Sequence, residues 1–176
     1  MQSLDAGYIR AILSYDPETG IFTWLPMGGD SETARRWNGK TAGNIAGTVG
    51  KRGYRAIGVA GEIFQAHRLA WLHVYGEWPG NHIDHIDRNP DNNAIANLRV
   101  ASQSENSANR SLPSNNKSGA KGVHWNKKVG KWRAGIRVKR KMIHLGHFES
   151  VVDAALAYEA AAKEHFGQFG TGATRA

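Results

Sequence analysis

The chain has no cysteine in its 176 residues. That excludes a disulfide framework and every structural zinc site built on thiolates, and it fits a reducing compartment. Long apolar runs are also missing. The N-terminal MQSLDAGYIRAILSYD lacks a basic segment followed by an apolar one, so neither a membrane span nor a secretory signal is expected. Acidic residues are the minority charge: 15 Asp and Glu stand against 23 Lys and Arg, a formal net charge of +8. The surplus attracts phosphates, and binding a polyanion releases its counterions. Between Lys117 and Lys141 the acids vanish altogether while ten Lys or Arg accumulate. A chain of this length buries one good core, or two small ones joined by a linker.

The elements follow from periodicity. LDAGYIRAILSY predicts a short helix with Leu4, Tyr8, Ile12 and Leu13 on one side. DPETG is turn chemistry, and IFTW reads as a strand. Gly28 to Gly50 is glycine-rich and aperiodic, and is expected to be mostly loop. YRAIGV and EIFQAH flank Ala60-Gly61 as a hairpin. HRLAWLHVY is a helix stopped by Gly76 and Pro79. Ser102 and Glu105 are spaced as a capping box, so a helix starts at Ser102. SLPSNNKSG, Ser111 to Gly119, is breaker-rich and reads as the linker between domains. In KWRAGIRVK the residues Lys131, Arg133, Arg137 and Lys139 alternate with Trp132, Ala134, Ile136 and Val138, which is a strand with one basic and one apolar face. With GVHWN before it and MIHLGHF after it, this predicts a three-stranded antiparallel sheet. SVVDAALAYEAAAKEHFG is then a helix whose alanines permit close approach to the apolar face. Trp125 and Trp132 are both expected in the core.

The stretch NHIDHIDRNPDNN, Asn81 to Asn93, carries the chemistry. His82, Asp84, His85 and Asp87 fall so close together that burying them requires pairing. A hard cation such as Mg²⁺ needs oxygen ligands and keeps several waters, so one or two protein ligands suffice. Asp84 offers a carboxylate and Asn106 an amide oxygen. His85, standing beside the ion as a neutral imidazole, can take a proton from water. His82 reads as a strand residue, Asp87 as a turn former with Asn89, and His67 and His73 as packing residues. Arg99 suits either a phosphate contact or plain solvation.

IDHIDRNPDNNAIANLRVASQSENSANR, Ile83 to Arg110, resembles the HNH nuclease family, in the phage and intron-encoded type that ends its motif in asparagine. AHRLAWLHVYGEWP resembles the segment that commonly precedes the motif. The resemblance implies a ββα-metal site, a β-hairpin plus a helix clasping one divalent ion, Mg²⁺ or Mn²⁺. Asp84 and Asn106 resemble its metal ligands, His85 its general base, and Asn97 the middle asparagine that braces the loop.

Ser118 to Gly167 resembles the AP2 DNA-binding domain, through Gly122-Val123, Trp132, Ile136-Arg137, the LGHF of Leu145 to Phe148, and the AALAY of Ala154 to Tyr158. That family lays a three-stranded sheet in the major groove with a helix packed behind. The resemblance, together with the basic face, implies a DNA surface of Lys121, His124, Asn126, Lys127, Lys128, Arg133, Arg137 and Lys139, joined by Arg99 from the nuclease region. The expectation is an α+β protein: an HNH nuclease region over 1–110 with its metal motif at 83–110, a linker over 111–119, and an AP2-like domain over 120–170. Its expected function is metal-dependent nicking or cleavage of double-stranded DNA with sequence bias, as a monomeric, phage-borne homing-type endonuclease in the cytoplasm of a bacterial host. An AP2-type regulator with an inactive nuclease remnant is the alternative, and an RNA-directed protein a further one.

Overall fold

In the computed structural model, which describes residues 4–112 and 115–170, the chain divides into two compact units with the boundary between Val100 and Ala101. The first begins with α1 (Ala6–Ile12), capped by the Asp5 carboxylate, which accepts from the Tyr8 amide at 2.8 Å. The cap sets the helix phase so that Ala6 and Ile9 face inward, while Tyr8 is exposed. The expected helix is therefore shorter, and Leu13 opens β1 (Leu13–Tyr15), paired antiparallel with β2 (Phe22–Trp24).

Gly28 to Gly50 is not mostly loop. It contains α2 (Glu32–Lys40) and the short β3 (Thr48–Val49). The helix buries only Ala34, which is why apolar periodicity does not reveal it. Its signals are the Ser31 N-cap and Trp37, whose indole meets Trp24 edge-on at 5.2 Å and donates to the Leu25 carbonyl at 3.0 Å. Next, β4 (Arg55–Val59) and β5 (Glu62–Gln65) form the expected hairpin about Ala60-Gly61, with β3 on the outer side of β4. The expected helix follows as α3 (Ala66–Tyr75), stopped at Gly76. β6 (His82–His85) and β7 (Leu98–Ala101) form a separate two-stranded sheet. Ile9, Leu13, Phe22, Ile57, Leu69 and Leu72 are fully buried in one core, to which Ile83 and Leu98 belong. Each such side chain contributes roughly 1.5–3 kcal/mol by leaving water.

The second unit starts with α4 (Gln103–Asn109), well before the expected linker. Ala101 and Ala108 pack with Ile136, Phe166 and Phe169, so α4 shares this unit's core. Of the linker segment 111–119, residues 113 and 114 lie outside the described residues. Asn116 and Ser118 bond the carbonyls of Ala120 and Val123, which ties this end of the segment to the strand that follows. β8 (Val123–Asn126), β9 (Lys131–Val138) and β10 (Lys141–Phe148) form an antiparallel sheet in the order β10-β9-β8, and α5 (Val151–Phe166) packs on it through Ala154, Ala155, Ala161 and Ala162. Trp125 is a correction. It pairs across the strands with half-buried Trp132 and meets it edge-on at 5.3 Å, but it lies at the margin of the sheet and is 47% exposed. Among the described residues, no helix is long and apolar enough to cross a membrane.

One glycine couples the first hairpin to the loop after β6. Gly20 has φ +73°, and a Cβ there would lie 2.2 Å from both the Ala94 nitrogen and the Asn93 carbonyl carbon. Gly20→Ala should therefore cost about 1–3 kcal/mol through backbone strain and clash. Urea unfolding should show a lower midpoint with the slope unchanged.

Candidate active site

Three successive residues of β6, Ile83, Asp84 and His85, are buried, so both faces of this strand are covered. Neighbours on a strand point to opposite sides, and the contacts of Asp84 and His85 differ accordingly. The Asp84 carboxylate receives the Arg99 guanidinium from β7, with Nε and Nη2 at 2.9 and 2.8 Å from Oδ2. Asp84 is 4% exposed. A carboxylate so far from water is strongly disfavoured unless a cation and hydrogen bonds compensate it. Arg99 is therefore not plainly solvated. It holds the acid of the site.

His85 packs edge-on against His67 of α3 at 5.1 Å and lies near Tyr54 at 5.9 Å. Its Nε2 lies 3.2 Å from Oδ1 of Asn93, which is also buried. The Asn93 amide nitrogen donates to the Asp91 carbonyl at 3.0 Å. That contact fixes which end of the amide is the oxygen, and an oxygen accepts. Nε2 of His85 is then the protonated nitrogen and Nδ1 carries the ring lone pair. Burial lowers the His85 pKa, against the opposing pull of the Asn93 bond and of Asp87, Asp84 and Asp91. The imidazole is accordingly neutral at physiological pH.

A network of short polar side chains holds Asn93 in place. Asp87 and Asn97 clasp each other: the Asp87 amide donates to Asn97 Oδ1 at 3.0 Å, and Asn97 Nδ2 donates to Asp87 Oδ1 at 2.9 Å and to the Asn92 carbonyl at 2.8 Å. Burial opposes ionisation of Asp87, but amide donors from Asn92, Asn89 and Asn97 outweigh it and hold the carboxyl below its usual range. Arg55 of β4 grips Asp91 with two bonds at 2.9 and 3.0 Å. The Tyr15 hydroxyl donates to the Asn93 carbonyl at 2.7 Å. Asn97 thus braces the loop, while the residue that meets His85 is Asn93. Spacing alone does not single out Asn93, although the doubled asparagine at Asn92-Asn93 marks it. His73 packs on Tyr15 and Phe22, and His82 is exposed.

The donor chemistry fits a hard divalent ion, which takes carboxylate and amide oxygens and completes its shell with water. Asp84 is the buried acid, and no group of three or more His, Asp or Glu that could hold a metal occurs among the described residues. A site with few protein ligands is the kind this residue set can build. Asn106 lies half-buried on α4, whose start is fixed by a reciprocal Ser102–Glu105 capping box.

Comparison with known proteins identifies the family. A family model described as HNH endonuclease matches residues 64–108, from β5 through most of α4. Protein 3.8 of Escherichia phage T7 is 38% identical over 104 residues, covering 58% of this chain and 85% of the relative. An uncharacterized HNH endonuclease, L560 of Acanthamoeba polyphaga mimivirus, is 36% identical over 123 residues, covering 69% of this chain and 63% of that one. The chain belongs to the HNH endonuclease family. A structure of DNA binding and cleavage by the HNH homing endonuclease I-HmuI aligns with a TM-score of 0.42 at 28% identity, over 62% of this chain and 57% of that one.

This HNH endonuclease carries its basic surface on the second unit. His124 and His147 lie directly opposite Arg133 on the flanking strands, and Met142 opposite Arg137. Arg133 Nε approaches His144 Nδ1 at 3.3 Å, and Asn126 approaches His147 at 3.2 Å. Strand alternation hides His144 and His147, because an odd spacing should send them to opposite faces. A bulge between His144 and Gly146 restores them to one face, with their rings 4.8 Å apart. Gly146 within the strand pattern was the available signal. Lys127, Lys128 and Lys139 are exposed in the turns at the two ends of β9. Lys121 is a correction. Its amine is buried and donates to the Ala108 carbonyl near the end of α4, so it completes that helix rather than joining the sheet's open surface.

His67 makes the first unit acid-sensitive. Burial, with the nearby charges of His85 and Arg68, lowers its pKa from 6.5 to about 3. The unfolded chain therefore binds this proton more readily than the folded one. The stabilisation is complete above the unfolded pKa and is lost as pH falls from 6.5 towards 3. For one group the slope approaches about 1.4 kcal/mol per pH unit. His67→Phe, which keeps an aromatic ring against Tyr54, should flatten this part of the stability profile in urea titrations run at a series of pH values.

Proposed function

We propose that the protein is a divalent-metal-dependent endonuclease of homing type that nicks or cleaves double-stranded DNA with sequence bias, acting as a monomer. The observation that carries this reading is the buried pair on β6, Asp84 held by Arg99 and His85 held by Asn93. Asp84 and Asn106 would hold the ion, Mg²⁺ or Mn²⁺, which when bound supplies charge stabilisation to the phosphodiester and its leaving 3′ oxygen. The rest falls to the chain's own groups. Asn93 presents its amide oxygen to Nε2–H of His85 and so commits Nδ1 to proton acceptance. Nδ1 takes a proton from the attacking water, and hydroxide displaces the 3′ oxygen. Asn97 keeps the loop closed around this pair, and the neutral state imposed by burial leaves the base ready at physiological pH.

His85→Ala should lower cleavage of plasmid DNA by about 10²–10⁴-fold, the usual contribution of a general base, and Asp84→Ala should abolish most cleavage by removing the carboxylate that would hold the ion. Asn93→Ala should leave His85 in place but unaligned, with a smaller loss confined to kcat. A plasmid assay over a metal series, followed by sequencing of the cut ends, measures all three. Undiminished cutting by His85→Ala would remove it from the mechanism.

The second unit we read as an AP2-like module that selects the DNA. A site as small as the nuclease centre has little surface for reading sequence, and a tethered reader raises its local concentration at a chosen locus. Arg133 and Arg137 can each make paired bonds to guanine edges, worth about 1–3 kcal/mol of discrimination. His124 and Asn126 lie on the same open face, and Lys127, Lys128 and Lys139 suit phosphates. Arg133→Ala or Arg137→Ala should flatten preference across a randomised duplex library. Lys127→Ala with Lys128→Ala should weaken all sequences alike and reduce the salt slope by about 0.9 for each phosphate that is no longer neutralised.

A further inference from the structure

We propose that the tip of the β9–β10 hairpin, Lys139-Arg140, is a clamp for the DNA backbone, maintained at the expense of a strained turn. The proposal rests on the reading that the second unit binds duplex DNA and already gives Lys139 to phosphate, and it adds Arg140 and the reason that both cations occupy this turn.

Val138 pairs with Lys141, so the hairpin closes over two residues only. Both residues of the loop have left-handed backbone, φ +45° at Lys139 and +67° at Arg140. Two-residue hairpins of this hand suit Asn-Gly, because each central position needs positive φ. The first unit's hairpin obeys that rule in part: Ala60 at φ +51° is followed by glycine at +83°. The β9–β10 turn has no glycine at all. Two long cationic side chains occupy positions that L-residues adopt at a cost, in a loop where glycine would relieve it. Turn formation therefore does not explain these two residues, whereas their charge and exposure do.

Lys139, Arg140 and Lys141 are all exposed, and among the described residues none of the ion pairs involves them. Among the described residues of this unit, the ion pair of Lys131 with Glu149 lies at the opposite end of the hairpin. The tip also opens onto a cleft. Arg140 and Arg137 line a space of about 540 Å³ together with Ser104 and Ser107 of α4 and Tyr158 of α5. Guanidinium forks and hydroxyls are the donor set that phosphodiester oxygens accept from. Ala108, Ile136 and Phe166 also line the cleft, which therefore lies on the helix-covered side of the sheet, while Arg137 is paired with Met142 and is the residue common to the cleft and the open face. A DNA strand lying on the open face would have its backbone gripped where it passes the tip.

The test uses the full chain and a short DNA duplex. Lys139→Asn with Arg140→Gly supplies the residues that the turn prefers and removes both charges. The melting temperature should rise by about 2–4 °C. Binding should weaken about tenfold, and the salt slope should fall by about 1–2, the release expected from two phosphates. Lys139→Arg with Arg140→Lys keeps charge and strain, and should bind as the wild type does. An unchanged salt slope in the Asn-Gly variant overturns the clamp. A melting temperature that falls overturns the strain argument, because the Lys-Arg turn would then be the better one. If the wild-type chain shows no salt-dependent DNA binding, the underlying reading fails. If Arg133→Ala still flattens sequence preference while the tip variant binds normally, the clamp alone fails.

Discussion

The site depends on one hydrogen bond between two buried side chains, from the His85 imidazole to the Asn93 amide. An imidazole can present either nitrogen, and only a fixed partner selects one. The Asn93 amide could itself flip, but the Asp91 carbonyl prevents this by accepting from its nitrogen. Asp91 in turn is fixed by Arg55, and the Asn93 backbone by Tyr15. The absence of a side chain at Gly20 lets the first hairpin come close enough for that contact. A strand, a loop and a hairpin far apart in sequence thus converge on the tautomer of one ring.

Asp84 poses the complementary problem of a buried negative charge. Arg99 answers it from the neighbouring strand, and its two contacts to one oxygen also fix the orientation of the carboxylate. Removing one partner of such a pair leaves an uncompensated charge, which typically costs about 3–5 kcal/mol. The two buried polar residues of β6 are therefore positioned by different means: the carboxylate by a cation on the paired strand, the imidazole by an amide on the loop between the strands.

The second unit is built on smaller contacts. Alanines on α5 let the helix approach the sheet closely, so the apolar face is covered without large side chains. The other face stays open, and its departures from ideal geometry alter its chemistry. The bulge at His144 to Gly146 gathers histidines around Arg133, and the left-handed turn at Lys139-Arg140 carries cations at the hairpin's end. Local irregularity of this kind is stable only because the regular ladder and the helix behind it over-determine the rest.

Several features were settled by local sequence. The Ser102–Glu105 cap, the Ala60-Gly61 hairpin, α3 with its stop at Gly76, and the alternation of β9 all depend on residues within a few positions of one another, so pattern alone reveals them. The family resemblance that points to Asp84, His85, Asn97 and Asn106 likewise rests on one continuous stretch, Ile83 to Arg110. Tertiary structure decided what these residues touch. That Arg99 is bound to Asp84, that Lys121 completes a helix end, that Asn93 meets His85, and that Trp125 is exposed each depend on which surfaces are brought together. A lysine or arginine reads the same in sequence whether its charge faces solvent or a carbonyl. Only burial, which forces every charge and amide to find a partner, distinguishes the two.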